Sequence, residues 1–423
     1  MSGRGARIGF SVLTVAAWLS AGATPFVRAA LSAPAPNDFT PDYVAAHAWL
    51  HGGPGGPGAA AVLDGAAGNV YGTSIGAPPV YLLDAYYVHP PTAFLMLMPL
   101  VPLGYRGAAL GWLLLTIAAT GALAALLLAA AGRGGRGPKA GVIFPLLLLW
   151  PPLLSNIQLG QSSIFLAVLI AAGYAAWASG RQRSSGGWFG GAIALKLTPI
   201  LLLPFLALRG RRALLSLGVT VAAAAALSLA AGQLDAWRLF FAHSAHNVGT
   251  WQTYHDNTLS LGGLLARLFV GGRFARPLVV VPTLARALQV GCLAGLGVTA
   301  LWFTRPRPGA APDRERDGCC FALWVILIVV SNPLAWAHYA LLLLLPIALV
   351  LRSAGLARHG VGQWMRVLAA VTFVLLTIPK ETLYFLSGPL PVSPGRGLFI
   401  SLPLAGALLL FGAAVLGARA RRS

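Results

Sequence analysis

The chain has 423 residues, of which 57% are hydrophobic and only 9% charged, and it carries a formal charge of +20. Soluble domains average about 25% charged residues, so this composition excludes one and reads as an all-α polytopic integral membrane protein. The positive balance does not point to nucleic acid, because the arginines fall in short clusters between apolar runs with no aromatic-basic surface or binding motif.

In chain order, Arg4 and Arg7 precede the first apolar run, residues 8–27, which is expected to cross the membrane. The same pattern, with small residues after the run, also fits a cleaved signal peptide and would leave the later topology unchanged. From residue 29 to 105 there is no lysine or arginine, while Asp38, Asp42, Asp64 and Asp84 fall there. By the positive-inside rule the N-terminus is cytoplasmic and this segment lies outside. It opens with "PNDFTPDYVAAHAWLHGG" (36–53), where Pro41 and the apolar-periodic stretch Tyr43 to Leu50 predict a short interfacial helix with Asp38 just before it. After a low-complexity loop, "GGPGGPGAA" (52–60), it closes with "YVHPPTAFLMLMPLVPLG" (87–104), an interfacial or dipping helix that begins at a Pro-Pro pair.

Further spans are expected near 107–131, 141–157, 161–179, 213–231, 277–303, 318–331, 336–351, 365–379 and 397–417. Basic clusters separate them at Arg133/Arg136/Lys139, Arg181/Arg183, Arg209/Arg211/Arg212, Arg305 to Arg316, Arg352/Arg358/Arg366 and Arg419/Arg421/Arg422, and the alternation closes with both termini inside. This gives about ten full crossings in one domain, residues 1–423. Residues 187–208 break the alternation, since arginines flank both ends of a stretch long enough to cross only once. Pro199 disfavours a continuous helix and restricts Thr198, so a broken or re-entrant pair of half-helices is expected. Lys196, one of three lysines in the chain, would sit near its tip. A charge at bilayer depth costs roughly 2.5–3.5 kcal/mol on insertion scales, so a compensating polar cavity is expected around it.

The remaining polar residues gather on the outer side. "SNIQLGQSS" (155–163) carries Asn156 and Gln161, "HSAHNVGTWQTYHDNTLS" (243–260) is rich in histidine, and "SNPLAWAHYA" (331–340) carries His338. Together with Asp38, Asp42, Tyr43 and His89 they fit an outward cavity open to lipid, suited to a charged, lipid-linked substrate. Each residue also has a plainer reading. Asp38 suits a helix N-cap, Asp42 a first-turn acid that complements the helix dipole, Lys196 a snorkelling lysine, and His338 a satisfied histidine at a helix end. Asn156, Gln161 and His89 suit structural roles. His255, Asp256 and Asn257, with His243 and His246 nearby, lack fixed metal-ligand spacing, and no metal site is expected. Cys292, Cys319 and Cys320 form no disulfide framework, and no nucleotide-binding or serine-hydrolase motif is present.

Taken in order, "DF" at Asp38-Phe39 with Tyr43 and "AA", then "HPP" with "PLVPL", "NIQLGQSS", "GGAIALKLTP" and "NPLAWAHY" resemble glycosyltransferase family 87 over residues 37 to 339. These are C-type membrane glycosyltransferases that use polyprenyl-phosphate sugars. The resemblance implies the C-type fold and inverting transfer of mannose or arabinofuranose from a polyprenyl-phosphate donor to a glycolipid or glycan acceptor. It also implies a site facing the exterior of a bacterial inner membrane, with no cofactor. It maps the catalytic base onto Asp38, with Asp42 as second choice. Lys196 would then bind the donor phosphate, His338 the donor phosphate or its pyranose, and Tyr43, His89, Gln161, Asn156 and Asp42 would line the substrate cavity. The glycine-rich segment 52–80 departs from the family pattern. A secondary transporter or flippase would also explain a broken helix and a buried lysine, but it would show inverted repeats, and none is visible. A non-catalytic envelope-assembly protein would make Asp38 dispensable.

Overall fold

A computed structural model describes residues 38–52, 89–132, 140–231, 234, 236–238, 240–242, 258–272, 275–306, 313–357, 359–387 and 394–420. The first apolar run, Asp64 and Asp84, the signal-peptide question and the His243 to Asn257 cluster lie outside the described residues. Those described are helical, with no strand among them beyond one isolated bridge between Gly272 and Ala275.

Helix α1 (Phe39–Gly52) starts one residue after Asp38. Two 3₁₀ segments, Pro91–Met96 and Met98–Leu103, follow the Pro-Pro pair and run into α2 (Gly104–Ala131). The stretch expected to dip at the interface is therefore continuous with the next span. At about 1.5 Å per residue, the 28 residues of α2 reach roughly 42 Å, more than the roughly 30 Å hydrocarbon core requires.

The expected span 141–157 is instead two short helices, α3 (Ala140–Leu148) and α4 (Pro151–Gln158). Pro151 and Pro152 supply no backbone donors and preset the φ of a first turn, so one helix ends before them and another begins. After the turn at 159–162 come α5 (Ser163–Ala178) and α6 (Gln182–Leu195).

Helix α6 ends at Lys196, whose backbone is extended (φ −148°, ψ 133°). A 3₁₀ segment, Thr198–Leu202, and α7 (Leu203–Arg209) follow. The chain then stands beside the point where α6 began: a Cβ added at Gly210 would lie 2.7 Å from Gln182 Oε1, and Trp177 Nε1 donates to Arg209 O at 3.4 Å. Residues 182–209 thus run out to Lys196 and return.

Helix α8 (Arg211–Ala230) packs closely against α6, because the sequence "GGWFGG" puts Gly186 and Gly190 on one face. A Cβ at Gly186 would meet Ala213 O at 2.1 Å, and one at Gly190 would meet Thr220 Cβ at 2.6 Å. On another side of α6, Phe189 fills the space over Gly173 of α5, where a Cβ would lie 2.5 Å from its ring.

Further helices among the described residues are α9 (Leu261–Phe269), α10 (Pro282–Thr304), α11 (Arg314–Ser331), α12 (Leu344–Leu356), α13 (His359–Thr377), α14 (Lys380–Ser387), α15 (Pro394–Ile400) and α16 (Leu402–Ala420). A 3₁₀ segment, Ala337–Leu343, leads into α12. The central column is α11, buried from Arg316 to Val330 and apolar on every side from Gly318 onward, as a helix surrounded by other helices must be. Outer helices such as α8 and α10 leave Leu215, Val219 and Val298 largely exposed, the arrangement a lipid-facing surface requires. Among the described residues, six helical stretches are long and apolar enough to cross a membrane: Met98–Ala131, Arg211–Ala230, Pro282–Thr304, Ala337–Leu356, Gly360–Thr377 and Leu402–Ala420.

Charged groups knot the helix ends at the Gln182 and Gly210 end of α6. Arg209 pairs with Asp317 at 3.3 Å and donates from Nε to Thr304 O at 2.8 Å. Arg352 places Nε and Nη2 on Glu315 Oε1 at 3.1 and 2.8 Å. Asp313 caps α11 by accepting from the Glu315 and Arg316 N–H groups, which satisfies two of the donors left over in a first helical turn. Lys196 lies at the opposite end of α6, roughly 21 Å along its 14 residues.

Candidate functional site

The site begins with the extended residue between α6 and the Pro199 turn. A helix that stops at Leu195 releases the Lys196 side chain sideways, and the residue is buried (4% exposed). Nζ donates to Gln161 Oε1 at 3.2 Å, Ser163 Oγ at 3.4 Å and Tyr339 OH at 3.3 Å, and lies 4.7 Å from the centre of the Tyr339 ring. All of these partners are neutral, and no carboxylate pairs with Nζ among the described residues. The ammonium is thus held by neutral oxygens and a ring face, with its charge not matched by a contacting anion among the described residues. The side chain is packed inside the protein rather than extended along its surface.

Gln161 is set by the turn that precedes α5. Asn156 Nδ2 donates to Gln161 O at 3.0 Å, Asn156 Oδ1 accepts from Ile164 N at 3.3 Å, and Gln161 N donates to Asn156 O at 2.9 Å. Asn156 is thus spent on clamping the 156–164 turn. Trp112 of α2 donates to Gly160 O at 3.0 Å, and Asp38 N donates to Leu159 O at 2.7 Å, so the same turn anchors the start of α1. With its backbone fixed, the Gln161 carboxamide points its oxygen at Lys196 and donates from Nε2 to Asp38 Oδ2.

Asp38 therefore does not cap α1 through its side chain, since among the described residues its carboxylate accepts from Gln161 alone. Burial pushes the Asp38 carboxyl above the usual carboxylate range and neighbouring Asp42 adds to the rise, while the Gln161 hydrogen bond, His89 and Lys196 oppose it. Asp42 and His89, read separately in the sequence, meet at 3.1 Å between Asp42 Oδ1 and His89 Nδ1, and both are buried. Thr92, three residues after His89, donates to Ala194 O at 2.6 Å and ties this segment to the end of α6.

Two expected cavity residues are placed differently from one another. Tyr43 is buried within an aromatic cluster, 6.0 Å from the Phe39 ring and 5.3 Å from that of Tyr105, and its hydroxyl reaches Val101 O at 3.5 Å. It builds the platform behind Asp38. His338 is buried beside the Lys196 contacts, its ring 5.1 Å from that of Tyr339 and 6.0 Å from that of Trp336. Ser163 and Tyr339, both on Lys196, went unselected in the sequence. The signal available there was proximity within the motifs, Ser163 two residues after Gln161 and Tyr339 one after His338.

The arrangement aligns a carboxylate, one carboxamide and a buried ammonium, so that a group able to accept a proton and a cation lie one carboxamide apart. No cluster of three or more metal-ligating side chains occurs among the described residues.

The family model for Glycosyltransferase family 87 matches residues 87–331, an interval that contains His89, Asn156, Gln161 and Lys196 and leaves Asp38 and His338 on either side. The chain is also 28% identical over 248 residues to the polyprenol-phosphate-mannose-dependent alpha-(1-2)-phosphatidylinositol mannoside mannosyltransferase of Mycolicibacterium smegmatis. That match covers 58% of this chain and 53% of the relative, so the chain spans about half the length of the curated relative it matches. No solved structure matches the chain.

Proposed function

Because the chain belongs to glycosyltransferase family 87, we propose that it transfers a sugar, with inversion, from a polyprenyl-phosphate donor to a lipid-linked or envelope glycan acceptor. Mannose is the sugar favoured by the named activity of the Mycolicibacterium relative, with arabinofuranose the alternative. Asp38 takes the acceptor hydroxyl proton, the freed oxygen attacks the anomeric carbon, and the bond from that carbon to the phosphate oxygen breaks in line. The departing phosphate gains negative charge, which Lys196 stabilises from its buried position with Ser163 and Tyr339 holding the ammonium in place. His338, packed against Tyr339, borders the donor side.

The observation that carries this reading is the Asp38–Gln161–Lys196 chain, which holds base and cation one carboxamide apart. The reading extends to a single domain with about ten crossings, a re-entrant 187–208 segment and both termini cytoplasmic. The site then faces the exterior of a bacterial inner membrane. Membranes containing the protein, incubated separately with radiolabelled polyprenyl-phosphate mannose and arabinose, should form labelled glycolipid with one of them. Substrate accumulation across sealed vesicles without any new glycosidic bond would favour a transporter instead.

A further inference from the structure

The mechanism above uses Asp38 and Lys196 and leaves unexplained why one side chain touches both. A carboxamide has one donor end and one acceptor end, and here each end meets the partner it suits: Nε2 the carboxylate, Oε1 the ammonium. The flipped amide would set oxygen against carboxylate and N–H against ammonium, so the charges at the two ends fix its orientation. Its backbone is fixed as well, by two hydrogen bonds to Asn156, whose own Oδ1 accepts from Ile164 N across the 156–164 turn.

We infer that Gln161 is a positioning residue that couples the donor-phosphate subsite to the catalytic base, so that donor binding at Lys196 makes Asp38 a stronger base. The inference rests on the reading of Asp38 as base and Lys196 as phosphate ligand. In the free enzyme the ammonium polarises the Gln161 carbonyl, which strengthens the amide N–H as a donor and holds the carboxylate in its ionised, less basic state. A phosphate oxygen competes with Gln161 Oε1 for the same ammonium and offsets its charge. Both effects weaken the stabilisation of ionised Asp38 and raise its affinity for the acceptor proton when the donor is in place. The groups facing Asp38 are Gln161 and Lys196 from the α5 and α6 side, Asp42 on α1 and His89 before the first 3₁₀ segment. Of these, Gln161 alone contacts both the base and the cation.

The test compares two pH profiles: kcat/KM for the donor, which reports the free enzyme, and kcat/KM for the acceptor at saturating donor, which reports the donor complex. In the wild type the acid limb of the second should lie at higher pH than that of the first. Gln161→Met keeps length and removes both polar ends. It should raise the free-enzyme limb, narrow the gap, lower kcat on the order of 10–100-fold through lost positioning, and leave donor KM within about threefold. Gln161→Glu keeps the shape and should raise donor KM about tenfold or more, because its carboxylate pairs with Lys196 where the phosphate binds; it also serves should the methionine variant fail to fold.

A raised KM in Gln161→Met with both limbs unmoved would make Gln161 a plain substrate ligand and overturn the inference. So would coincident limbs in the wild type. Failure of the underlying reading looks different: Asp38→Asn would keep near wild-type turnover, whatever Gln161 does.

Discussion

Lys196→Met separates function from stability in opposite directions. In the free protein the ammonium is buried with only neutral partners at 3.2–3.4 Å, so its desolvation is not repaid by any ion pair among the described residues. Replacement by an apolar side chain of similar length removes that cost, and the protein should insert equally well or better. The gain is bounded by the roughly 2.5–3.5 kcal/mol that insertion scales assign to a central charge.

Turnover should move the other way. A charge-assisted contact to phosphate contributes about 1.5–3 kcal/mol to donor binding, and loss of one preorganised group facing developing negative charge costs roughly 10²–10³ in turnover. Lys196 also lowers the Asp38 carboxyl, so its removal raises that carboxyl further. A base must be deprotonated to work and activity is lost as pH falls through its pKa, so the acid limb of the rate profile should move to higher pH. Thermal unfolding in detergent, donor affinity and the pH–rate profile together read all three effects. Unchanged donor affinity and turnover in the methionine variant would refute the argument and return Lys196 to a structural role.

Asp38→Asn should lower turnover by about 10²–10⁴-fold in a transfer assay with donor binding retained, while Asp42→Asn, which weakens the contact to His89, should be the milder change. His338→Ala should lower turnover with little change in the amount of folded protein in membranes, read by activity alongside size-exclusion chromatography. Gly190→Leu should destabilise the protein by about 1–3 kcal/mol in a melting assay, because a Cβ there already meets Thr220 at 2.6 Å. Single cysteines placed in 29–105, 232–276 and 380–396 should react with an impermeant thiol reagent in intact cells; labelling only after permeabilisation reverses the orientation.

The features legible in the sequence were those that local chemistry makes costly. A lysine in an apolar run followed by proline demands both a break and a partner, and the return of the chain from Gln182 to Gly210 has the form this requires. The helix break at 149–150 was equally available from "WPPLL", yet a hydropathy window averages across it. The identity of the lysine's partners was not available. Serine, glutamine and tyrosine hydroxyls and amides are common, and only tertiary placement turns Ser163 and Tyr339 into ligands. The central position of α11 was hidden for another reason: lipid and protein interior are both apolar, so fifteen buried residues in a row read like any span.

The contact between Phe189 and Gly173 sets the register of α5 against α6, and those two antiparallel helices carry Ser163 and Lys196 at adjoining ends. One residue of slip along a helix is about 1.5 Å, enough to break contacts of 3.2–3.4 Å. The spacing of the reactive groups is therefore gauged about 10–15 Å away, by a ring seated over a glycine that touches no substrate. Enlarging Gly173 would be felt as a misaligned lysine, and the change that restores alignment is a smaller side chain at position 189. Tolerated variation at these two positions should come in compensating pairs, each keeping the summed volume constant.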